Sequence, residues 1–219
     1  MRQRSARSAG PVRHQRSPHV APLADAVERN HELIAEVLAG IDAKRARVRF
    51  GASRALRILS ERVPELLYPH FDFFVEMLDH DNHILKWNAT VTLANMARVD
   101  REGKIDALLN RYLDLISGSN MITAANAIRG SATIAAAKPH LAKRIASRIM
   151  GVEHADYATP ECRNVAIGHA LLALEELAGQ LPDQRGVRLF AARQLGNPRA
   201  ATSAKARKFL KSREKTSHP

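Results

Sequence analysis

The sequence predicts an all-α fold of about five stacked helical hairpins. Three observations carry this. The first is a short phrase that recurs at a nearly fixed interval: an apolar residue, a basic or polar residue, two spacers, a small residue. It reads Val48-Arg49-Phe50-Gly51-Ala52, then Leu85-Lys86-Trp87-Asn88-Ala89. It returns, weakened, as Ile122-Thr123-Ala124-Ala125-Asn126, again as Cys162-Arg163-Asn164-Val165-Ala166, and last as Pro198-Arg199-Ala200-Ala201-Thr202. From Arg49, the steps to Lys86, Thr123, Arg163 and Arg199 are 37, 37, 40 and 36 residues. A period of this size between helical patterns marks a stacked-repeat array. The second observation is helical apolar spacing along the body with no convincing period-two alternation, so no sheet is expected. The third is composition: 45% of the 219 residues are hydrophobic, enough for one domain with a sizeable core.

The helices follow in order. Leu23–Ala39 places Val27, Leu33, Ile34, Val37 and Leu38 on a helix that stops at Gly40. Asp42 is a candidate cap for the next, where Val48, Ala52, Ala55, Leu56, Leu59 and Val63 form one stripe. Pro64 opens a helix ending near Leu78, and Asp81 or Asn82 caps another that runs to about Val99. Further helices are expected over 101–116, 120–136, 139–151, 160–179, 183–195 and 199–212. The segment 182–198, with Pro182, Gly186, Gly196 and Pro198, reads as looser packing before a short C-terminal cap. One hairpin cannot bury its apolar stripe alone, so units must stack on their neighbours. Ala52, Ala89 and Ala166 let paired helices approach closely, with Asn126 in that place in the third unit, on a thin alanine-rich helix.

Paired helices of this length and period resemble HEAT-like repeats, of the armadillo type, over roughly residues 23–212. Asp42 precedes Arg49 by seven residues, and Asp79 precedes Lys86 by seven, as in the family pattern of a turn Asp and an early Arg. The third unit departs, with Ile116 and Thr123 in those positions. The resemblance implies a right-handed α-solenoid, a ladder of Asp and Arg between neighbouring units, and partner binding on the concave side, which the second helix of each hairpin lines.

Charge qualifies the functional reading. The net charge of +12 is concentrated at the ends. Residues 1–24 carry five Arg and no acid, and 199–219 carry seven Lys or Arg against Glu214, giving +5 and +6. The span 25–198 holds 22 basic and 21 acidic residues, a net of +1. A duplex-binding solenoid is expected to carry its charge on the folded surface. Residues 1–22 lack the apolar groups that offset ordering entropy and read as a disordered basic tail; a mitochondrial transit peptide shares that composition, and 213–219 read as a second flexible tail. No apolar run approaches the roughly 20 residues that span a bilayer, so no membrane role is expected and cytoplasm is the default compartment. The single cysteine, Cys162, excludes an intramolecular disulfide and a multi-thiolate zinc site; it reads as a buried, inert thiol.

With Ala52 at the centre of the buried face and 100° per residue, Phe50, Arg54, Arg57 and Glu61 point outward. One period later Trp87, Val91, Ala94 and Arg98 take those positions. Phe50, Arg54, Arg57, Trp87, Val91 and Arg98 are therefore the candidate partner-binding residues, since aromatic anchors beside arginines are what binding hot spots favour. Packing of both rings against neighbouring helices is the alternative. The leading function is a non-catalytic protein–protein interaction scaffold, without cofactor. The runner-up is nucleic-acid binding through the basic tails and an Arg/aromatic patch. A HEAT-like DNA glycosylase is the weakest reading, because no Asp shares the outward stripe with Trp87. Asp79-His80-Asp81-Asn82-His83 carries metal-ligating residue types, but a polar interhelix turn explains the same letters. No phosphate loop or nucleophile elbow is present.

Overall fold

A computed structural model describes residues 21–214. The basic segments 1–20 and 215–219, which hold most of the two expected tails, lie outside the described residues. Eleven α-helices and no strand occur among the described residues. α1 (Ala21–Arg29) precedes five hairpins: α2 (Leu33–Ala39) with α3 (Ala46–Arg62), α4 (Phe71–Glu76) with α5 (His83–Met96), α6 (Lys104–Asp114) with α7 (Met121–Ala137), α8 (Ala142–Met150) with α9 (Pro160–Leu177), and α10 (Arg185–Arg193) with α11 (Ala200–Glu214). Short 3-10 turns finish the first helix of every hairpin. The broadest contacts join successive second helices, α3 to α5 to α7 to α9 to α11. The molecule is an all-α solenoid in which those five helices form one continuous layer.

A small buried residue recurs at one position of each of these helices. The residue just before each second helix is Arg45, Asn82, Asn120, Thr159 or Arg199. Seven residues on stand Ala52, Ala89, Ala127, Ala166 and Ala206, all buried. The intervals between these alanines are 37, 38, 39 and 40 residues. The third unit therefore keeps the pattern: its small residue is Ala127, and Asn126, one place earlier, faces outward half-buried. In the fifth unit Ala206 takes the place, four residues beyond the Thr202 expected from the recurring phrase. Side-chain caps fix the register. Asn82 Oδ1 accepts from the N–H of Ile84 (3.0 Å) and Asn120 Oδ1 from Ile122 and Thr123 (both 3.0 Å), while Thr159 Oγ1 accepts from Cys162 (3.1 Å).

Several local expectations are corrected. Leu23–Ala39 is two helices, because Asn30 Oδ1 captures the N–H of Glu32 (3.1 Å) and breaks the ladder between them. The stretch from Pro64 to Leu78 is a chain of 3-10 turns around the six-residue α4, since a second proline, Pro69, interrupts it. Asp42 caps nothing; it ends a 3-10 turn and is exposed. Arg49 instead donates to the turn carbonyl of Ala43 (3.0 Å). In residues 182–198, expected to pack more loosely, Val187, Phe190 and Ala191 are buried while Leu189 and Leu195 are exposed. Cys162 is half-buried at the start of α9. The helix expected over 199–212 extends two residues into the expected tail: α11 carries Lys205, Arg207, Lys208 and Lys211, and Arg213 beyond them. Residues 21–214 hold 28 basic and 22 acidic residues, a net of +6.

A charge ladder between units is present, but on the first helices. Arg111 of α6 donates to Asp79 (2.5 Å), Arg148 of α8 pairs with Asp114, and Arg193 of α10 donates to Glu153 (2.6 Å). The first two pairs are largely exposed and contribute roughly 0–1 kcal/mol each; in the third, Glu153 is mostly covered. The buried polar link is Asp100, which precedes α6. Its carboxylate accepts from the N–H of Lys104 (2.9 Å) and Ile105 (3.0 Å), from the Tyr68 hydroxyl (2.6 Å), and pairs with Lys138 Nζ (2.8 Å). It thereby joins the second, third and fourth hairpins. Burial opposes its ionisation, but the hydrogen bonds from Lys138, Tyr68 and the two amides win and hold its pKa below the usual carboxylate value. Burial and the Asp100 bond push Tyr68 up to about 12.

Two outcomes are expected. Gly130 of α7 lies where an added Cβ would stand 2.0 Å from the Tyr112 hydroxyl and 3.0 Å from Ala94 Cβ. Tyr112 is fully buried and donates to the carbonyl of Thr90 (3.0 Å), so its ring has nowhere to go. Helix propensity alone would make Gly130→Ala about 1 kcal/mol stabilising. Overpacking reverses the sign, and a loss of about 2 kcal/mol is expected in chemical denaturation; a more stable variant would show that α5 and α7 can separate.

The second outcome concerns acid. A carboxylate with a lowered folded pKa contributes stability that is complete above the unfolded value near 4 and is lost as pH falls through the folded one. Unfolding free energy should therefore drop below about pH 4 with Asp100 contributing, and Asp100→Asn should flatten that drop. The same variant should cost about 1–3 kcal/mol at neutral pH, because Tyr68 and the α6 amides lose an ionised acceptor and Lys138 is left with Asp106 (2.6 Å) as its carboxylate partner. An unchanged acid limb in Asp100→Asn would remove Asp100 from the account.

Candidate partner-binding groove

The layer of second helices carries a groove of about 610 Å³. α3 contributes Arg54, Arg57, Ile58, Glu61 and Arg62. α5 contributes Trp87, Asn88, Val91, Ala94 and Asn95, and α7 contributes Asn126, Arg129, Gly130 and Thr133. Ala21, at the start of α1, closes one rim. The floor is low because Ala94 and Gly130 are small and touch one another across the helix pair. Larger side chains on either side make the walls.

Four of the six sequence-derived candidates meet here: Arg54, Arg57, Trp87 and Val91. Trp87 is half-buried and oriented by two contacts. Its indole N–H donates to Thr123 Oγ1 of α7 (2.9 Å), and its ring lies nearly parallel to His83, centroids 6.2 Å apart. One ring therefore bridges two units while part of its surface faces the groove. Phe50 and Arg98 are outside the lining. Phe50 packs on the core edge with the Arg49 guanidinium 5.1 Å from its ring centre. Arg98 donates to the carbonyls of Ser60 (3.1 Å) and Glu61 (2.9 Å), the last turn of α3. It caps the negative end of the neighbouring helix. Ala94, expected outward, is buried in the floor.

The groove is as apolar as it is polar, and its charged residues are net positive. Arg57 and Glu61 pair at 2.5 Å one turn apart. Arg62 reaches Asp25 (2.7 Å) and Glu28 (3.0 Å), pinning α1 to α3. Arg129 is exposed and donates to a neutral amide, Asn126 Oδ1 (3.1 Å). Asn88 and Asn95 donate through Nδ2 to Ser53 (2.8 Å) and Ser60 (2.9 Å), which leaves their carbonyl oxygens as acceptors. Beyond the groove, the same layer presents His169 of α9 and Lys205 of α11, whose ammonium rests on the Gly168 carbonyl (3.0 Å). Burial first, then the cations Lys205, Arg129 and Arg199, hold the His169 pKa below its ordinary value. Positive potential extends along this face.

Sequence reasoning missed Asn88, Asn95, Asn126, Arg129 and Thr133. A 37-residue step from Val91 lands on Ile128, which is fully buried. Aligning the caps Asn82 and Asn120 gives a step of 38, which places Arg129 opposite Val91 and Asn126 opposite Asn88. The caps are the signal that finds these residues.

The turn 79–83 serves the fold. Asp79 pairs with Arg111, His80 Nδ1 accepts from the N–H of Asn82 (2.8 Å), and His83 lies beside Trp87. No cluster of metal-ligating side chains occurs among the described residues. The acid in the groove lining is Glu61, held by Arg57. No described helix is long and apolar enough to cross a membrane.

No protein-family model matches this sequence, and no curated protein matches it significantly. Among solved structures the chain is similar to a designed armadillo repeat protein, with a TM-score of 0.62 and 17% identity over 90% of this chain and 87% of that one. It is also similar to an engineered protein, with a TM-score of 0.52 and 15% identity over 88% of this chain and 84% of that one. At such identities the likeness is one of fold. The chain has the helical-repeat architecture of armadillo and HEAT-like proteins, as its repeat pattern implied.

Proposed function

We propose that this protein is a non-catalytic scaffold that holds a segment of a protein partner in the groove across α3, α5 and α7. The observation that carries the reading is convergence. Arg54 and Arg57 from one repeat, and Trp87 and Val91 from the next, line one groove one period apart. Trp87 supplies a rigid apolar surface at little entropic cost, because its ring is already fixed by Thr123 and His83. Phe50 and Arg98 support the groove from outside it. A repeat fold of this kind suits binding, since each unit adds one strip of surface to a continuous face.

Nucleic-acid binding is the second reading, favoured by the exposed Arg207, Lys208 and Lys211 on α11. Phosphate contacts there would give a steep loss of affinity with salt. Pull-down from native lysate with and without nuclease separates the two, because a nuclease-resistant protein partner is expected from the groove.

Trp87→Ala is the direct test. Half-burial and one hydrogen bond set its expected stability cost at about 1–2 kcal/mol. Partner affinity should fall by about 2 kcal/mol or more. Both quantities can be measured on the same variant, by thermal melt and by titration with the captured partner. A loss of stability with unchanged affinity would make Trp87 an inter-helix packing residue and refute the groove as the binding site.

A further inference from the structure

We infer that Arg129 of α7, His169 of α9 and Lys205 of α11 form a site for one phosphate monoester, a phosphorylated side chain on a protein segment laid along this face. The site lies beside the Trp87 groove and shares Arg129 with it, but it stands on contacts of its own. Its geometry begins at Gly168. The Lys205 ammonium rests on the Gly168 carbonyl (3.0 Å), and a Cβ at that glycine would stand 3.3 Å from the ammonium and 2.9 Å from Thr202 Oγ1. The missing side chain lets a lysine of α11 come down on α9, one residue from His169. That carbonyl uses one of the three ammonium protons. Arg129 acts on His169 from α7. Its guanidinium donates to the neutral Asn126 Oδ1 (3.1 Å) and keeps further N–H groups.

No carboxylate balances these groups. Among the described residues, the bonds of Arg129 and Lys205 run to neutral oxygens. Arg199, the third cation near His169, is held by Glu161 (2.8 Å). The charges that act on His169 come from Arg129 on α7 and from Lys205 and Arg199 on and before α11, and all are positive. α8 and the 3-10 turn after it also pack on α9 and add none. Burial and then Arg199 hold the Lys205 ammonium below its ordinary pKa as well. A bound oxyanion relieves both strains: it pairs the two cations, and it favours an imidazolium that donates one more hydrogen bond.

Donors from three helices suit the three terminal oxygens and nearly double charge of a phosphate monoester better than one carboxylate. The outward stripe of α9 runs Val165, His169, Leu172, Glu176. The histidine thus lies between two apolar residues, with an acid one turn beyond. Apolar neighbours suit the flanking side chains of a peptide. Glu176 would repel the next phosphate of a nucleic-acid strand, whose charges follow one another at short intervals.

The test follows the His169 ring proton by NMR in the full chain, identified by its loss in His169→Gln. Inorganic sulfate is the first probe, because its charge is constant across neutral pH; ionic strength is held fixed with chloride. Sulfate favours the imidazolium, so affinity should rise as pH falls. The His169 titration should move up by about 1 pH unit, and sulfate should bind up to about tenfold more tightly at pH 5.5 than at pH 8. Arg129→Gln, at an exposed position that keeps the fold, should weaken sulfate about tenfold, and Lys205→Gln should do the same. The second arm compares a phosphoserine peptide flanked by leucines, the same peptide with serine, and an oligothymidine of similar length. The phosphopeptide is expected to shift His169 and the serine peptide to leave it unchanged. A sulfate effect shared by every histidine, or undiminished in Arg129→Gln, overturns the site. Sulfate affinity independent of pH overturns the role of His169. Equal binding of the two peptides overturns the phosphate, and an oligothymidine that displaces the phosphopeptide from His169 overturns the protein segment as its source.

Discussion

The close approach of the second helices is the constraint on which the rest of this structure depends. Each carries one alanine, Ala52, Ala89, Ala127, Ala166 or Ala206, buried at the same distance from the start of its helix; Ala52 meets Gly40 of its own hairpin, and between α5 and α7 Ala94 meets Gly130. A methyl at these points lets backbones pack tightly and brings dispersion contacts along the whole layer. Where the spacing is tightest, at Gly130, even a methyl does not fit, and the Tyr112 hydroxyl occupies the space instead. The growing interval between alanines is absorbed in turns and 3-10 segments, so the layer stays in register although the sequence period drifts from 37 to 40. The groove is a consequence: small residues at the floor, larger polar ones one step around each helix.

Polar groups then fix what apolar packing leaves free. Apolar surfaces slide at little cost, whereas directional bonds between neighbouring units do not. Asn88 to Ser53, Asn95 to Ser60, Trp87 to Thr123 and Thr202 to the Asn164 carbonyl each tie one second helix to the next. The exposed Arg–acid ladder on the first helices contributes little energy per pair but repeats one geometry at each step. Asp100 differs from these. Its carboxylate is fully enclosed and would be strongly penalised alone, yet two amides, a phenol and an ammonium compensate it. One carboxylate thus serves as cap for α6 and as the junction of three hairpins.

Legibility in the sequence divided along physical lines. Helix existence was readable nearly everywhere, because a period of 3.6 in apolar residues persists over many turns. Boundaries failed where a local side chain outcompeted the backbone, as Asn30 does between α1 and α2, or where a second proline entered, as Pro69 does before α4. Half of the groove was readable: Arg54, Arg57, Trp87 and Val91 follow from stepping 100° around two helices in equivalent register. The α7 wall was not, because a step of 37 instead of 38 rotates a helix by 100° and exchanges Arg129 for the buried Ile128.

The sequence by itself determined the all-helical repeat, the number of hairpins and the outward stripe of the first two units. These depend on local periodicity, which needs no partner to be expressed. Only the tertiary structure decided which outward residues share a surface. Phe50 and Trp87 hold equivalent positions, yet one leans on the core edge and the other spans α5 and α7. Arg98 lies on the same stripe but is drawn to the carbonyl end of α3, since unpaired helix-terminal carbonyls attract a cation. The helix expected over 199–212 forms as α11, with Phe209 and Ala206 buried and α9 beside it, so most of the C-terminal cations lie on the folded body. Equivalence in sequence fixes direction from the helix axis, and the neighbour that happens to stand there fixes the role.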